Sequence, residues 1–338
     1  MSFETIAAVD LGSNSFRLQI GRVVDNQIYP LDSLKSTVRL ASGLGVDKRL
    51  NEAAQERALA ALALFGERLR GFDFGAVRAV ATNSLRVAKN AAEFIERAQK
   101  TLGFPIEVVA GREEARLIYL GASHSLPSAD HKRLVVDIGG GSTEFIIGKR
   151  HQPQAMESLY MGCVGYSEAF FPEGRIDRRR LREAQAAAAQ ELETIAYDFR
   201  RLGWVESVGS SGTARAIADV LEMNGLNPNG ESGLTRSGLE RMSDLLLKAG
   251  SMEHSRLAGI RTDRMPVLPG GLAIMLAVFE TLDINHMTYA DGALRLGVLY
   301  DLLGRFHDHD LRETTVSQFM RRYQVDVHQA ERVRATAR

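Results

Sequence analysis

Two stretches of this chain carry the same pattern of apolar and polar positions. IAAVDLGSNSFRLQIG, Ile6 to Gly21, runs from an apolar segment through Asp, Gly and small polar residues into a second, alternating apolar segment. LVVDIGGGSTEFIIGK, Leu134 to Lys149, does the same with three glycines in the turn. Period-two alternation flanking a Gly-rich turn predicts a β-hairpin in each place.

Between and after these hairpins the period changes. A further short strand is expected near Leu31 to Leu40. Asn51 to Arg70 shows helical spacing, with Asn51 as N-cap and Gly71 as stop. AVRAVATNS reads as a strand entering a polar turn, followed by a helix from about Ser84, a strand at Ile106 to Ala110, and the helix REEARLIYLGASHSL. The polar stretch Ser125 to Arg133 is the best linker, and the second hairpin opens directly after it. Then come a long helix, RRRLREAQAAAAQELETIAYDFRRLG, a strand-loop-helix, VESVGSSGTARAIADVL, a buried helix after Pro269, and a last strand-loop-helix, MTYADGALRLGVLYDLL. Two hairpins of one type, each opening a mixed α/β stretch, predict duplicated α/β domains facing a cleft. Beyond about His307 the chain turns charged and helical without an apolar partner, which reads as the opening of a separate helical region.

Composition narrows the picture modestly. At 338 residues the chain is long enough for two cores. Lys plus Arg and Asp plus Glu balance at 42 each, so any ion site must be local. The single cysteine, Cys163, excludes an internal disulfide and fits a reducing compartment, where it reads as a small buried apolar residue. MSFET leads straight into a strand pattern without a signal-peptide profile, and the apolar run from Gly270 is too short to span a bilayer. A soluble, cytoplasmic protein is expected.

The glycines pose the chemical question. Glycine lacks the Cβ that would hold a ligand off the backbone, and it accepts positive φ. Successive amides in a tight turn can then converge on an anion. Gly139, Gly140, Gly141 and Ser142 offer four such donors, with hydroxyls from Ser142 and Thr143. In the first hairpin Gly12, Ser13, Asn14 and Ser15 offer the same with less freedom. A P-loop is excluded, since no GxxxxGK[ST] occurs and the strand-like EFII follows Gly141. No GxGxxG opens a helix either. Asp10, Asp137 and Glu144 flank these turns. Carboxylates beside a phosphate site repel the ligand unless a hard cation intervenes, which points to Mg²⁺.

Other residues are less specific. Asn83, Ser84 and Arg86 stand where a strand gives way to a helix, an anion site or simply a cap with a solvated arginine. GSSGTAR, with Gly209, Ser211 and Gly212, could hold phosphate or mark a close helix–strand contact. Glu113 and Glu114 begin a helix, and neighbours there diverge by about 100°, so at most one faces a given cleft. HDHD, His307 to Asp310, reads as a solvated linker, and RIDRRRLRE as a helix face rather than a nucleic-acid site.

Taken together and in order, AAVDLGSNSFRL, ATNSLR, GREEARLIYLG, VVDIGGGSTE, MGCV, GSSGT, PGGLAI and DGALRLGVLY closely resemble the exopolyphosphatase/guanosine pentaphosphate phosphatase family, within the actin, sugar-kinase and Hsp70 superfold. The resemblance covers Ile6 to Leu303. It implies two ribonuclease-H-like domains, 1–129 (completed by a helix at about 297–308) and 130–296, with the active site between them. Residues 311–338 would begin a helical HD-like region. It implies Mg²⁺-dependent hydrolysis of a terminal phosphoanhydride, with Glu114 as the base acting on water and Asp10, Asp137 and Glu144 on the metal side. Arg86 and the loop donors would hold phosphates. GGGST and DGALR lean slightly toward inorganic polyphosphate, with guanosine pentaphosphate, or both substrates, as the alternative. The family also implies a homodimer and leaves room for peripheral membrane association. A kinase or a regulatory phosphate-binding module of the same superfold is the alternative of another class; a kinase would need an adenosine pocket around GSSGTAR.

Overall fold

The computed structural model describes residues 3–25, 27–290, 294–304, 320 and 325–336. It has two mixed sheets flanked by helices. The first is built from β1 (Thr5–Leu11), β2 (Ser15–Val24), β3 (Gln27–Thr37), β4 (Val77–Ala81) and β5 (Ile106–Val108), in spatial order β3-β2-β1-β4-β5. The second contains β6 (Lys132–Ile138), β7 (Thr143–Lys149), β8 (Gln152–Leu159), β9 (Glu206–Gly209), β10 (Leu234–Thr235) and β11 (His286–Tyr289), in order β10-β11-β9-β6-β7-β8. Each opens with an antiparallel three-strand meander and continues in parallel through its first strand. The same plan occurs twice, as the paired hairpin pattern predicts.

The expected helices form with small differences. α1 is Glu52–Arg68, and the side chain of Asn51 accepts from the Ala54 amide as its cap. The helix expected from Ser84 is two: a short α2 (Asn83–Val87) and α3 (Ala91–Leu102). α4 is Gly111–Ser125. The second half adds α5 (Cys163–Phe170), α6 (Arg178–Leu202), α7 (Gly212–Met223), α8 (Arg236–Ala249) and α9 (Leu268–Thr281). α9 is apolar on every side and is buried from Leu268 to Phe279, as a core helix of an α/β layer requires. α10 (Leu294–Gly304) returns to the first sheet, and α11 (Val327–Thr336) is exposed from His328 onward. Among the described residues no helix is long and apolar enough to cross a membrane.

α4 joins the two halves rather than belonging to one. Leu117 packs with Ile6, Ala8 and Val80 of the first sheet and Val298 and Leu299 of α10. Ile118, Tyr119 and Ala122 pack with Val135, Ile146 and Met156 of the second sheet. A buried ionic network fixes its register: Asp301 of α10 accepts from Arg78 of β4 at 2.7 Å and from Arg116 of α4, and Arg116 also grips Glu113 at 2.9 Å. Glu113 is thereby turned toward α10, which leaves Glu114, one position on, for the other side.

Candidate active-site cleft

The turns of the two hairpins meet face to face. A Cβ on Gly140 would lie 3.0 Å from the Asn14 amide nitrogen and from Ser13 Cβ, and one on Gly141 would lie 2.5 Å from Asn83 Oδ1. Such approaches are tighter than a Cβ ordinarily makes, so a larger residue at either position would have to shift the opposite turn or the Asn83 side chain, and glycine lets the turns close without that. Left-handed backbone is not the reason: none of Gly12, Gly139, Gly140 or Gly141 has positive φ. The expected positive-φ nest is therefore corrected to a pair of apposed turns. Gly139 donates to Ser142 O at 2.9 Å and closes the second turn, while the amides of Gly140, Gly141 and Ser142 donate to nothing among the described residues.

A cleft of about 480 Å³ opens where these turns meet, lined from the first half by Asp10, Gly12, Ser13, Asn14, Ser15 and Arg17. From the second half Asp137, Gly139 to Ser142, Cys163 and the Ser210–Thr213 loop line it, with Glu114 and Arg295 from the two bridging helices. Five buried side-chain atoms lack a hydrogen-bond partner among the described residues, and four of them belong to this region: Asp10 Oδ1, Asn14 Oδ1, Ser15 Oγ and Asn83 Nδ2. Buried polar groups are normally satisfied, and their concentration here marks a place built to meet polar groups from outside the chain.

Register sets the electrostatics. Asp10 of β1 is cross-strand from Arg17 of β2, and Asp137 of β6 is cross-strand from Glu144 of β7. Equivalent positions of the two meanders thus carry a cation in one half and an acid in the other. Burial pushes Asp10 up, against Arg295 and Arg17, which pull it down. Burial likewise raises Asp137 to about 6, while a 2.8 Å bond from Ser210 Oγ works the other way. Arg17 is lowered to about 10 by burial and by Arg295. Glu114 is only 6% exposed, and burial lifts it to about 7, opposed by Arg86, whose Nη1 donates to Oε2 at 3.0 Å. Beside it Glu144, raised by burial and by Glu114, accepts from Ser158 Oγ at 2.8 Å. A carboxylate that ionises near neutrality beside an anion-ready turn can take a proton from water.

Comparison with known proteins shows the family. Residues 19–306 match the model of the Ppx/GppA phosphatase family. The chain belongs to that family. It is 41% identical over 331 residues to the guanosine-5'-triphosphate,3'-diphosphate pyrophosphatase of Aeromonas hydrophila subsp. hydrophila, and 40% identical to the protein of that name in Aeromonas salmonicida. Both alignments take in 98% of this chain but 66% of the relative, so the chain spans just under two thirds of the length of these curated proteins. The crystal structure of the Aquifex aeolicus Ppx/GppA family member superposes with TM-score 0.74 at 28% identity, covering 90% of this chain and 99% of that one. An exopolyphosphatase from Cytophaga hutchinsonii superposes with TM-score 0.79 at 25% identity, covering 89% and 98%.

Within this family frame the structure sorts the residues singled out from the sequence. Glu114, Asp10, Asp137, Ser13, Asn14, Ser15, Gly139 to Ser142, Ser211 and Gly212 all line the cleft. Six do not. Arg86 donates from Nη1 to Glu114 and, at 2.8 Å, to Val109 O. Thr143 Oγ1 donates to Met161 O at 2.6 Å, behind the turn. Ser84 donates to Ser13 Oγ at 2.8 Å and so holds a lining residue in place, as Asn83 does by abutting Gly141. Gly209 is packed against Ala214 and Met287, the close helix–strand contact weighed as the alternative for GSSGTAR. Glu144 is buried behind the lining, and among the described residues no three potential metal ligands converge on one point. His307 to Asp310 lies outside the described residues, as do residues 305–308 of the expected helix at 297–308 and most of 311–338.

The sequence reading missed Arg17, Arg295, Lys35, Ser210, Arg215, Asp219, Arg261 and Arg264, which also line the cleft. For Arg17 a signal existed. Asp10 and Asp137 are each followed seven residues later, across a hairpin, by a charged residue: Arg17 and Glu144.

Proposed function

We propose that this chain hydrolyses a terminal phosphoanhydride, releasing orthophosphate from a substrate whose last phosphate is held between the two apposed turns. The observation that carries this reading is the unsatisfied donors and acceptors of both turns in one cleft with Glu114. The free amides of Gly140, Gly141 and Ser142, with Ser13 and Asn14 opposite, would take the terminal phosphoryl oxygens. Glu114, fixed by Arg86, would orient a water and accept its proton. Positioning and charge neutralisation supply most of the rate in phosphoryl transfer, so a rigid cleft suffices.

The residues fit a divalent cation. Asp10 Oδ1 is buried and unpartnered, and burial disfavours ionisation of both Asp10 and Asp137 in the absence of added positive charge. Mg²⁺ commonly takes only one or two carboxylates and completes its shell with water and phosphate, so the absence of three converging acids is no obstacle. Asp10 and Asp137 would hold it, and it would neutralise charge on the phosphates. Removal with excess EDTA should stop turnover and added Mg²⁺ restore it. Arg17, Arg295 and the buried Glu144 tune the charge of the same carboxylates.

For the substrate, the relatives at 40–41% identity carry the name guanosine-5'-triphosphate,3'-diphosphate pyrophosphatase, which favours that nucleotide. Inorganic polyphosphate is the second reading, favoured by the exopolyphosphatase among the similar structures. Orthophosphate release measured side by side from the nucleotide, medium and long polyphosphate and ATP, each with Mg²⁺, ranks them. No release from any of the four rejects the proposal. A homodimer and a cytoplasmic location belong to the same reading, tested by sedimentation and by cell fractionation.

A further inference from the structure

The cleft continues beyond the turns, along α7. Gly212, Arg215, Ala216 and Asp219, at i, i+3, i+4 and i+7, form one stripe of that helix, and all four line the cleft. Seven residues at 1.5 Å each carry this wall about 10 Å away from the Ser210–Thr213 loop. The Arg264 guanidinium lies directly on Gly212, where a Cβ would overlap it, and Arg215 lies over the Tyr289 ring at 4.7 Å from its centroid. Arg261, Arg264 and Lys35 line the cleft as well.

One group here is out of keeping with an anion track. Asp263 already pairs with Lys35 and Arg261, and Asp219 puts a further carboxylate into the cleft lining itself, with no role at the turns where the other acids are gathered. Its Oδ1 accepts from Arg215 Nε at 3.0 Å, and Oδ2 accepts from nothing among the described residues. The side chain is about a third exposed, at 33%. A run of phosphates would be repelled at this point, whereas a group with adjacent N–H donors would be drawn to it. Guanine presents such an edge, N1–H beside the N2 amino group, and a carboxylate accepts from both. Adenine presents a bare N1 lone pair there and is repelled.

We propose that Asp219, held by Arg215, reads the guanine base of a nucleotide substrate. This rests on the reading of the cleft as a phosphohydrolase site for a guanosine polyphosphate. It turns the loop that could have served an adenosine pocket into a selector for the other purine.

The test compares kcat/KM for guanosine-5'-triphosphate,3'-diphosphate with that for its adenosine counterpart, in the unaltered chain and in Asp219→Asn and Asp219→Ala. Tripolyphosphate, which has no base, is run in parallel. A site built to hydrogen-bond a base rejects the analogue lacking those donors, so the unaltered chain should prefer guanosine by about tenfold or more. In both variants that ratio should fall toward one, through KM for the guanosine form. A ratio unmoved by either substitution overturns the proposal, and so does an equal loss on tripolyphosphate. If the unaltered chain cleaves tripolyphosphate but neither nucleotide, the nucleotide reading fails and this proposal with it. If it cleaves none of the three, the phosphohydrolase reading itself has failed.

Discussion

Arg86→Gln separates two jobs an arginine can do in such a site. In the structure the guanidinium is 3.0 Å from Glu114 Oε2 and does not line the cleft. Two charges about 4 Å apart at an effective dielectric near 20 interact by about 4 kcal/mol, and an adjacent arginine typically lowers a carboxylate by about 1–3 pKa units. Glutamine retains a hydrogen bond, so a rise of about 1–2 units is expected. Glu114, now ionising at about 7, would then be about 1–10% ionised at pH 7 instead of about half. The sign is fixed by the chemistry: a base works only when deprotonated, so the acid limb of the profile moves to higher pH. The assay is kcat/KM for phosphate release between pH 5.5 and 9. At pH 7 the variant should be about 5–50-fold slower, and at pH 9 within about twofold to threefold of the unaltered chain. A loss of the same size at every pH, carried by KM, would refute the reasoning and return Arg86 to phosphate binding.

Glu114→Gln should retain substrate binding and lose about 10²–10⁴-fold in kcat. It should also be more stable above pH 7, because burial raises the carboxyl from 4.5 to about 7 and ionising it works against the fold. That penalty, on the order of 1–3 kcal/mol, grows between those two values and is absent below them, so urea melts of the two proteins should converge by pH 5 and diverge by pH 8. Gly141→Ala places a methyl 2.5 Å from Asn83 Oδ1 and 3.1 Å from Ser13 Oγ and should displace both side chains from the turn, costing severalfold or more in kcat/KM while circular dichroism is unchanged. Asp301→Ala removes the carboxylate shared by the buried Arg78 and Arg116, leaves them Glu107 and Glu113 as partners, and should cost about 1.5–3 kcal/mol in denaturant unfolding. A loss below 1 kcal/mol would show that the network does not secure α4.

The duplication was legible because both hairpins repeat an apolar–Asp–Gly–polar–apolar order, and strand alternation is a local signal. Spacing showed only that at most one of Glu113 and Glu114 faces a given cleft, and Glu114 was named by the family resemblance rather than by the pair itself. That choice is made by Arg116 and Asp301, which are far apart in sequence and draw Glu113 toward α10. The glycine run was read as an anion site on the strength of its backbone freedom, which the structure does not use. Its residues keep ordinary backbone angles and are needed because Ser13, Asn14 and Asn83 press on them from the other half of the chain, a tertiary fact with no local trace. For the same reason Thr143 looked like a donor to ligand, although its hydroxyl is spent on Met161. Arg17 had only its spacing from Asp10 to mark it, and a lone arginine in a helix carries no motif, so Arg295 became visible only once the fold brought it beside Asp10.

The central claim is the position of the terminal phosphate, and a crystal structure of Glu114→Gln grown with guanosine-5'-triphosphate,3'-diphosphate and Mg²⁺ tests it directly. The last phosphoryl group should accept hydrogen bonds from the amides of Gly140, Gly141 and Ser142 and face the side chain at position 114 across a single water. Phosphates bound elsewhere, with those amides still turned to solvent, would contradict the account.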